Sequence, residues 1–304
     1  MNKPNLITSL LQKYLKNRDI TSLKGNFNYY LLFRLCRKFI NRYIEIKVGN
    51  FKILASHKKN KTSHFLLKKC TFGDDYELKT IEKFSKLNKI FLLDCGANYG
   101  FYSFYTASLS TKNKVIAFEA SKNTSKEFKA NLVLNKFKNI KLINLAITNK
   151  ENNFLRFNES IKDWESSLRD NSFIRSSLQK IKTTKIDYIL KNKKLSKYFL
   201  FIKLDIEGSE FDAIKGSLET IKKYSPLIII EFSKYNLNNI DNLKFLDSFL
   251  KRFDYSIYAT NKKKTKLPKI LKLLKDLDES HQTIGNYYLI KNASKMEDIF
   301  LKNE

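Results

Sequence analysis

The stretch KIFLLDCGANYGFYSF, which runs from Lys89 to Phe104, decides the fold of this chain. Its first half is a continuous apolar run, as is typical of a strand buried on both faces of a parallel sheet. Its second half holds two glycines and then aromatic residues, which indicates a tight turn followed by a buried helix. Asp94 stands at the junction. Such a strand–turn–helix unit is typical of a doubly wound α/β sheet, in which ligands bind outside the carboxyl ends of the strands.

Downstream of Lys89, short apolar runs alternate with longer amphipathic segments, which is the pattern of repeated βα units. The pattern predicts a mostly parallel, doubly wound α/β sheet of seven strands. The predicted strands are 89–95, 114–120, 140–147, 198–206, 226–232, 255–260 and 286–291, and the predicted helices are 100–110, 122–136, 184–194 and 209–224. No helix-length segment follows the last strand, so we expect that strand to run antiparallel at the edge of the sheet.

The chain before this region has a different character, and we divide it into an extension, 1–72, and a main domain, 73–304. The segment 27–43 is aromatic, leucine-rich and basic, with apolar positions at helical spacing, and 44–57 has the pattern of two short strands. We expect the helix to cap the main domain. The alternative is a helix that lies on an anionic membrane surface.

The composition is strongly basic, because 58 Lys and Arg against 30 Asp and Glu give a formal net charge of +28. Since the excess is mostly lysine spread along the chain, we interpret it first as a solubilising or compositional charge. An anionic surface is the next alternative, and specific binding of nucleic acid is not expected. Neither a signal peptide nor a membrane-spanning run is evident, so we expect a cytoplasmic protein, with a peripheral position at the inner face of the membrane as the alternative.

The glycine turn predicts the ligand. The dinucleotide fingerprint needs three glycines as G-x-G-x-x-G, whereas this turn reads D-C-G-A-N-Y-G. Asp94 would repel a phosphate but would suit an amino group, while a carboxylate could meet the backbone N–H groups of the turn. Glu119 ends the second strand, nineteen residues after Gly100, where an acid accepts hydrogen bonds from ribose hydroxyls. An amino acid joined to a nucleoside is S-adenosylmethionine, and we predict this cofactor.

The stretch IKLDIEGSE predicts the reacting groups. Lys203, Asp205 and Glu207 alternate with apolar residues and therefore share one face if the strand continues through them. Lys203 starts inside the sheet and is expected to pair with Asp205 or another acid, because an unpaired buried charge is costly. At the carboxyl edge, a carboxylate could accept or orient the proton of an attacking hydroxyl. We predict all three as catalytic; the alternative is an ion-pair network that only supports the loop.

Together these motifs resemble the FkbM family of S-adenosylmethionine-dependent methyltransferases, from about Gly73 to Glu231. The family motif D-x-G-A-N-x-G is matched by Asp94, Gly96, Ala97, Asn98 and Gly100, and K-x-D-x-E-G-x-E is matched by Lys203, Asp205, Glu207, Gly208 and Glu210. Glu119 matches the acid of the second strand, although Ala120 replaces the usual proline. The resemblance implies a Rossmann-like class I methyltransferase fold. It also implies O-methylation of a sugar, glycan or small metabolite.

Further assignments complete the expected site. Ala146 joins the residues that bind the cofactor, and Glu210, Glu231 and Trp164 are assigned to the substrate, with a packing anchor as the alternative for Trp164. A divalent cation held by Asp205, Glu207 and Glu231 is an alternative that we do not expect. Cysteines and histidines are not spaced as zinc ligands. The alternative functions are an RNA methyltransferase that uses the basic surface and an inactive membrane or scaffold module. Asp94 disfavours a dehydrogenase.

Overall fold

The computed structural model of the chain describes residues 4–16, 18–40, 43–56, 61–71, 75–160, 176–233, 239–259, 265–266 and 284–302. The helices are α1 (Leu6–Leu15), α2 (Phe27–Cys36), α3 (Lys61–Lys69), α4 (Asp75–Leu87), α5 (Phe101–Leu109), α6 (Lys122–Asn135), α7 (Ile186–Leu190), α8 (Glu210–Lys215), α9 (Leu218–Tyr224), α10 (Ile240–Phe253) and α11 (Lys295–Leu301), with 3₁₀ turns at Ile20–Leu23 and Arg37–Phe39. Within these ranges, none of the helices combines the length and apolar character needed to cross a bilayer.

The strands form one large sheet and two small ones. They are β1 (Ile44–Val48), β2 (Phe51–Ala55), β3 (Ile90–Cys95), β4 (Lys114–Phe118), β5 (Ile140–Ile143), β6 (Ala146–Ile147), β7 (Phe154–Ser160), β8 (Ser176–Thr184), β9 (Phe199–Leu204), β10 (Leu227–Ser233), β11 (Tyr255–Ala259), β12 (Thr265–Lys266) and β13 (Ile284–Lys291). The large sheet has the order β12-β11-β13-β10-β9-β3-β4-β5. Neighbours from β10 to β5 pair in parallel, which confirms the mostly parallel, doubly wound sheet of seven strands, to which two-residue β12 adds an eighth.

The central strands are buried on both faces, which explains their continuous apolar sequences. Every residue of β3 and of β9 is buried. Successive residues serve two separate cores: Leu93 and Ile202 belong to one, and Leu92 and Phe201 belong to the other. Alternation along a strand therefore divides a single apolar run between the two layers of helices.

The last long strand, β13, departs from the prediction in its position. It is antiparallel to its neighbours, as expected, but it lies between β10 and β11 and not at the edge. Tyr288, Leu289 and Ile290 are all buried, so this strand needs cover on both faces and a neighbour on each side. The helix α11 follows it and packs Phe300 against the ring of Tyr288, so the expectation of no further helix was also wrong.

The segment predicted as one strand at 140–147 is divided between two sheets. β5 pairs with β4 in the large sheet, whereas β6 pairs with β8 in a small sheet completed by β7. Between them, the Asn144 amide donates to the backbone carbonyls of Glu119 at 2.6 Å and Ala120 at 3.0 Å. These bonds hold the chain at the end of β4, and the strand cannot continue through Asn144.

Two predicted helices are shorter than expected. The segment 209–224 divides into α8 and α9 at Gly216, and 184–194 is reduced to α7 because β8 extends through Thr184. Asp187 of α7 accepts hydrogen bonds from the backbone N–H groups of Glu219 at 3.1 Å and Thr220 at 2.8 Å. The Asp187 carboxylate thus caps the N-terminus of α9, which favours a separate helix over a continuation of α8.

The N-terminal extension packs on the large domain through a shared core. Phe51 of the antiparallel β1–β2 hairpin lies 6.2 Å from the ring centroids of both Phe101 and Phe104 in α5. The side chains of Asn131 and Asn135 in α6 accept from backbone N–H groups of β2, at 2.8 and 2.7 Å. The edge of the hairpin is thus satisfied by the domain on which it packs.

Candidate functional site

The glycine turn after β3 is folded back onto the end of β4. The N–H groups of Gly96 and Ala97 both donate to the carbonyl oxygen of Phe118, at 3.0 and 2.9 Å. Asn98 and Gly100 then take left-handed backbone conformations, with φ of +50° and +91°. The turn therefore presents its backbone at the carboxyl ends of two neighbouring strands, which is where a doubly wound sheet holds its ligand.

Gly96 is the point at which this turn meets the segment after β9. Its φ is +80°, and a Cβ atom there would lie 1.7 Å from the backbone oxygen of Asp205. The Asp205 N–H in turn donates to the Cys95 carbonyl oxygen at 3.2 Å. Only glycine fits this contact. The predicted cofactor turn and the predicted catalytic segment are therefore built directly against each other.

Asp94 is buried with half of its hydrogen-bonding capacity unused. Its side chain is 1% exposed, and Oδ2 accepts from the Ser103 hydroxyl at 2.6 Å. Oδ1 and the Oδ1 atom of Asn98 are buried with no hydrogen-bond partner in the described part of the chain. Burial raises the pKa of Asp94, against the opposing effects of the Lys203 ammonium and the bond from Ser103. Two unused acceptors in one turn suit a ligand that brings N–H donors.

Glu119 follows β4, the neighbour of the strand that carries Asp94, and backbone hydrogen bonds fix its carboxylate. Its two carboxylate oxygens accept from the backbone N–H groups of Asn98 at 2.9 Å and Ser121 at 2.8 Å. Burial raises its pKa to about 7, although these two hydrogen bonds act in the opposite direction. Each oxygen keeps capacity for one more hydrogen bond, and the carboxylate is therefore both preorganised and available to hydroxyl donors.

A cleft opens beside these groups. It encloses about 410 Å³, open solvent included, and its walls are mostly apolar. The residues that line it are Gly96, Phe118, Glu119, Ala120, Leu145, Ala146, Ile147, Ile206 and Ser209. The predicted Ala146 is therefore part of the wall, placed there by the bend at Asn144. An apolar slot with one acid at its end has the chemistry of a nucleoside pocket.

Lys203 is buried and paired, as predicted. Its ammonium lies 2.7 Å from Oδ2 of Asp205 and 4.6 Å from the centroid of the Tyr102 ring. Lys203 also stands opposite Asp94 in the register of β9 with β3. The strand ends at Leu204, so Asp205 begins the loop beyond the sheet. The buried cation therefore fixes an acid at the carboxyl edge of the sheet.

Three carboxyl groups converge at this edge. Oxygen atoms of Asp205, Glu207 and Glu231 lie within 4.8 Å of one another. Burial, followed by repulsion from the carboxylates of Asp205 and Glu207, raises the pKa of Glu231 to about 9. Burial alone would raise the pKa of Asp205, but the Lys203 ammonium and a hydrogen bond from Glu231 hold it below its ordinary value. The surroundings thus favour the ionised form of Asp205 and the protonated form of Glu231.

The comparisons with known proteins identify this arrangement. The model of the methyltransferase FkbM domain matches residues 94–257, which is more than half of the chain. The chain belongs to the FkbM methyltransferase family. It is therefore an S-adenosylmethionine-dependent methyltransferase, as the two motifs implied. No curated protein matches it.

Two solved methyltransferase structures are similar to this FkbM domain at low sequence identity. The methyltransferase FkbM from Methylobacillus flagellatus KT has 17% sequence identity and a TM-score of 0.41, over 75% of this chain and 52% of that one. The chain thus spans about half the length of that protein. Precorrin-6y C5,15-methyltransferase from Geobacter metallireducens GS-15 has 12% identity and a TM-score of 0.36, over 71% of this chain and 86% of that one.

The FkbM motif residues do not all face the cleft. Oε1 of Glu210, which is 1% exposed, accepts from the backbone N–H groups of Ile206 and Gly208, both at 3.0 Å. It thereby closes the loop that carries Glu207, whose φ is +53°. This contact explains the conformation of the loop, while a contact of Glu210 with substrate stays a prediction.

Several residues of the FkbM site were not predicted. Ser103 binds Asp94 from the first turn of α5, and Asn144 positions the wall of the cleft. The position of Ser103, three residues after Gly100, could have indicated its role, whereas no sequence pattern indicated the role of Asn144. Trp164 and the rest of 161–175 lie outside the described residues.

Proposed function

We propose that this FkbM methyltransferase transfers the methyl group to a hydroxyl of a sugar, glycan or other small metabolite. The observation that carries the proposal is the convergence of the Asp205, Glu207 and Glu231 carboxyl groups within 4.8 Å of one another beside the cofactor cleft, with Asp205 held 2.7 Å from the buried Lys203. A hydroxyl is a weak nucleophile and gains from an acceptor for its proton, which an oxygen of Asp205 or Glu207 would supply. An amine would need no such group once it was neutral.

The cofactor residues are assigned on the same basis. We place the amino group of S-adenosylmethionine against Oδ1 of Asp94, which is buried with no hydrogen-bond partner among the described residues. Glu119, oriented by the Asn98 N–H at 2.9 Å, would bind the ribose hydroxyls. The N–H groups of Gly96, Ala97 and Gly100 are paired within the protein, so the turn would hold the cofactor by its shape, with Gly96 in the cleft wall. Ala146 would form the wall beside the base. When bound, the cofactor supplies an electrophilic methyl group.

The residues of the chain then have separate tasks. Asp205 or Glu207 would accept the proton of the attacking hydroxyl as the methyl group passes from the sulfur of the cofactor to the acceptor oxygen, leaving S-adenosylhomocysteine, and Lys203 holds Asp205 in place. Glu231, whose raised pKa favours the protonated form, would donate to Asp205 and help to orient it. Holding the acceptor in line with the methyl group supplies much of the rate. Glu210 and Trp164 are retained as candidate contacts of the acceptor.

The test measures cofactor binding and turnover separately. Asp205→Asn and Glu207→Gln should bind S-adenosylhomocysteine about as well as the wild type by calorimetry. Transfer of labelled methyl to a panel of hydroxyl-bearing glycans should fall by about 100-fold or more in at least one variant, because removing a general base costs that much.

Asp212→Asn is the matched control, since this acid is half-buried and lies 3.6 Å from its partner, Lys215. It should keep full turnover. Wild-type turnover in both Asp205→Asn and Glu207→Gln would overturn the catalytic assignment. Methylation of amino sugars in preference to their hydroxyl counterparts would overturn the acceptor class.

A further inference from the structure

The exposed apolar side chains of this protein are concentrated in the extension. Seven large ones lie between residues 6 and 39, whereas the six others of the described chain are scattered from Leu87 to Leu301. The seven form what we call the N-terminal apolar face: Leu6, Leu10, Phe27, Tyr30, Leu31, Leu35 and Phe39. Single exposed apolar residues need no explanation, but a cluster of this size marks an interaction surface.

The face follows the geometry of α2. Phe27, Tyr30, Leu31 and Leu35 recur at helical spacing and occupy one side, while Tyr29 and Phe33 are buried on the other. Phe27 is 72% exposed and Leu35 is 65% exposed. The helix is therefore apolar on both sides, and the side that carries Tyr29 and Phe33 is the one buried in the protein.

The first helix adds to the same surface. Tyr14 near the end of α1 stacks on Tyr29 near the start of α2, with ring centroids 6.4 Å apart. Asn5 at the start of α1 donates to the carbonyl oxygen of Phe39 at 2.6 Å. The two helices therefore lie antiparallel and side by side, and Leu6, which is 75% exposed, begins beside Phe39. The exposed leucines of α1 are thus held next to those of the α2 segment.

The charge of the N-terminal helices indicates what kind of surface the apolar face binds. Residues 4–40 contain seven basic side chains, Lys13, Lys16, Arg18, Lys24, Arg34, Arg37 and Lys38, and a single acid, Asp19. Asp19 is occupied by hydrogen bonds from Thr21 and Gly49. Lys13, Arg34 and Lys38 are exposed close to the apolar residues. Leucine and aromatic side chains next to lysine and arginine suit an anionic lipid surface, because the acyl chains accept the apolar groups and the lipid phosphates bind the basic groups.

We propose that the N-terminal apolar face docks this protein on an anionic lipid bilayer, with the two helices lying in the interface. The apolar side chains enter the boundary between headgroups and acyl chains, while Arg34 and Lys38 contact lipid phosphates. This inference does not depend on the identity of the methyl acceptor. It extends the predicted membrane contact of 27–43 to α1.

The test is vesicle flotation with the full chain. Wild-type protein should float with vesicles made of equal parts phosphatidylcholine and phosphatidylglycerol, and much less with phosphatidylcholine alone. Leu31→Ser/Leu35→Ser should weaken binding about tenfold or more, because the transfer of two leucine side chains from water into the lipid no longer contributes. Arg34→Gln/Lys38→Gln should weaken it by a factor that shrinks as salt is added.

Two control pairs make the same chemical changes elsewhere. Val133→Ser/Ile240→Ser removes exposed apolar side chains outside the face, and Lys126→Gln/Lys129→Gln removes equal charge from α6. Both pairs should bind like the wild type. S-adenosylhomocysteine binding should be unchanged in all four variants, which shows that they are folded.

Phe27→Trp gives a readout that keeps the native apolar character. Its emission should shift to the blue on anionic vesicles relative to the wild type, which has only Trp164. The proposal is overturned if wild-type protein does not float, if the leucine variant floats equally well, or if Phe27→Trp shows no shift. A dimer in solution that the leucine variant dissociates, without vesicle binding, would assign the face to a second copy and also overturn it.

Discussion

At the scale of single residues, the site depends on buried acids whose protonation the fold controls. Asp94, Glu119 and Glu231 all have raised pKa values, and in each case burial is the largest cause. Asp205 is the exception, because Lys203 stands 2.7 Å away. Carboxyl groups with opposite pKa shifts at one sheet edge are typical of a catalytic site, since the surroundings favour the ionised form of one and the protonated form of the other.

Glu119 gives a prediction about pH. Its pKa of about 7 belongs to the free protein, and ribose hydroxyls would donate to its ionised form, so bound cofactor should lower that pKa. Affinity for S-adenosylhomocysteine should therefore be full above pH 7 and fall by up to about tenfold per pH unit below it. Besides its backbone donors, Glu119 is influenced by the nearby carboxylates of Asp94 and Asp205.

Calorimetry between pH 5.5 and 8 would measure this dependence. Glu119→Gln should bind more weakly at high pH and should lose the part of the dependence centred near pH 7. Asp94→Asn serves as the comparison, because a dependence that disappears with Asp94 alone would belong to the other acid. A wild-type affinity that stays constant across the range would contradict the assignment of Glu119 to the ribose.

At the scale of elements, loops are fixed by side chains that reach the backbone of a neighbouring segment. Glu210 closes the loop after β9, Asp187 caps α9, and Asn144 ends β5. Each satisfies backbone groups that regular secondary structure leaves unpaired. These bonds, more than helix or strand propensity, determine where the elements around the cleft begin and end.

Glu210 provides the prediction at this scale. Glu210→Ala removes the acceptor for two backbone N–H groups and should lower the free energy of unfolding by about 2–3 kcal/mol. It should also lower turnover, because Glu207 would lose its fixed position. Glu210→Gln should recover most of both, since its amide oxygen can still accept. Urea unfolding and methyl transfer measure the two effects.

Glu219→Ala is a suitable control for the Glu210 variants, because Glu219 also lies in the first turn of a helix but outside the loop. It should change stability by less than about 1 kcal/mol. A Glu210→Gln variant as defective as Glu210→Ala would show that the negative charge, and not the hydrogen bonding, is what the loop needs.

At the scale of the whole molecule, the extension and the methyltransferase domain share a hydrophobic core cluster. A single core cluster joins Phe51 and Ile53 of the hairpin to Phe104 and Phe128 of the domain. Phe104 also contacts the position of Gly100, where a Cβ atom would lie 2.5 Å from its ring. The extension thus packs on the same side chain, Phe104, that packs on the cofactor turn.

This continuity predicts one unfolding transition. Phe51→Ala should lower the free energy of unfolding by about 3–5 kcal/mol, the usual cost of truncating a buried phenylalanine, and should lower the stability of the cofactor site by the same amount. Circular dichroism and S-adenosylhomocysteine binding, followed in guanidinium, should report the same midpoint. Lys47→Ala, at an exposed position of β1, should leave it unchanged. Two separate transitions, with cofactor binding surviving the first, would contradict the prediction.

The sequence alone determined which segments form the parallel strands, the two motifs and the pairing of Lys203 with an acid. These follow from local rules, because a doubly buried strand must be continuously apolar and a buried cation must find a carboxylate. Tertiary structure alone decided that β13 lies inside the sheet, that Ala146 enters the cleft through the bend at Asn144, and that α2 keeps one apolar side exposed. These depend on contacts between segments far apart in the chain, which no local pattern of residues specifies.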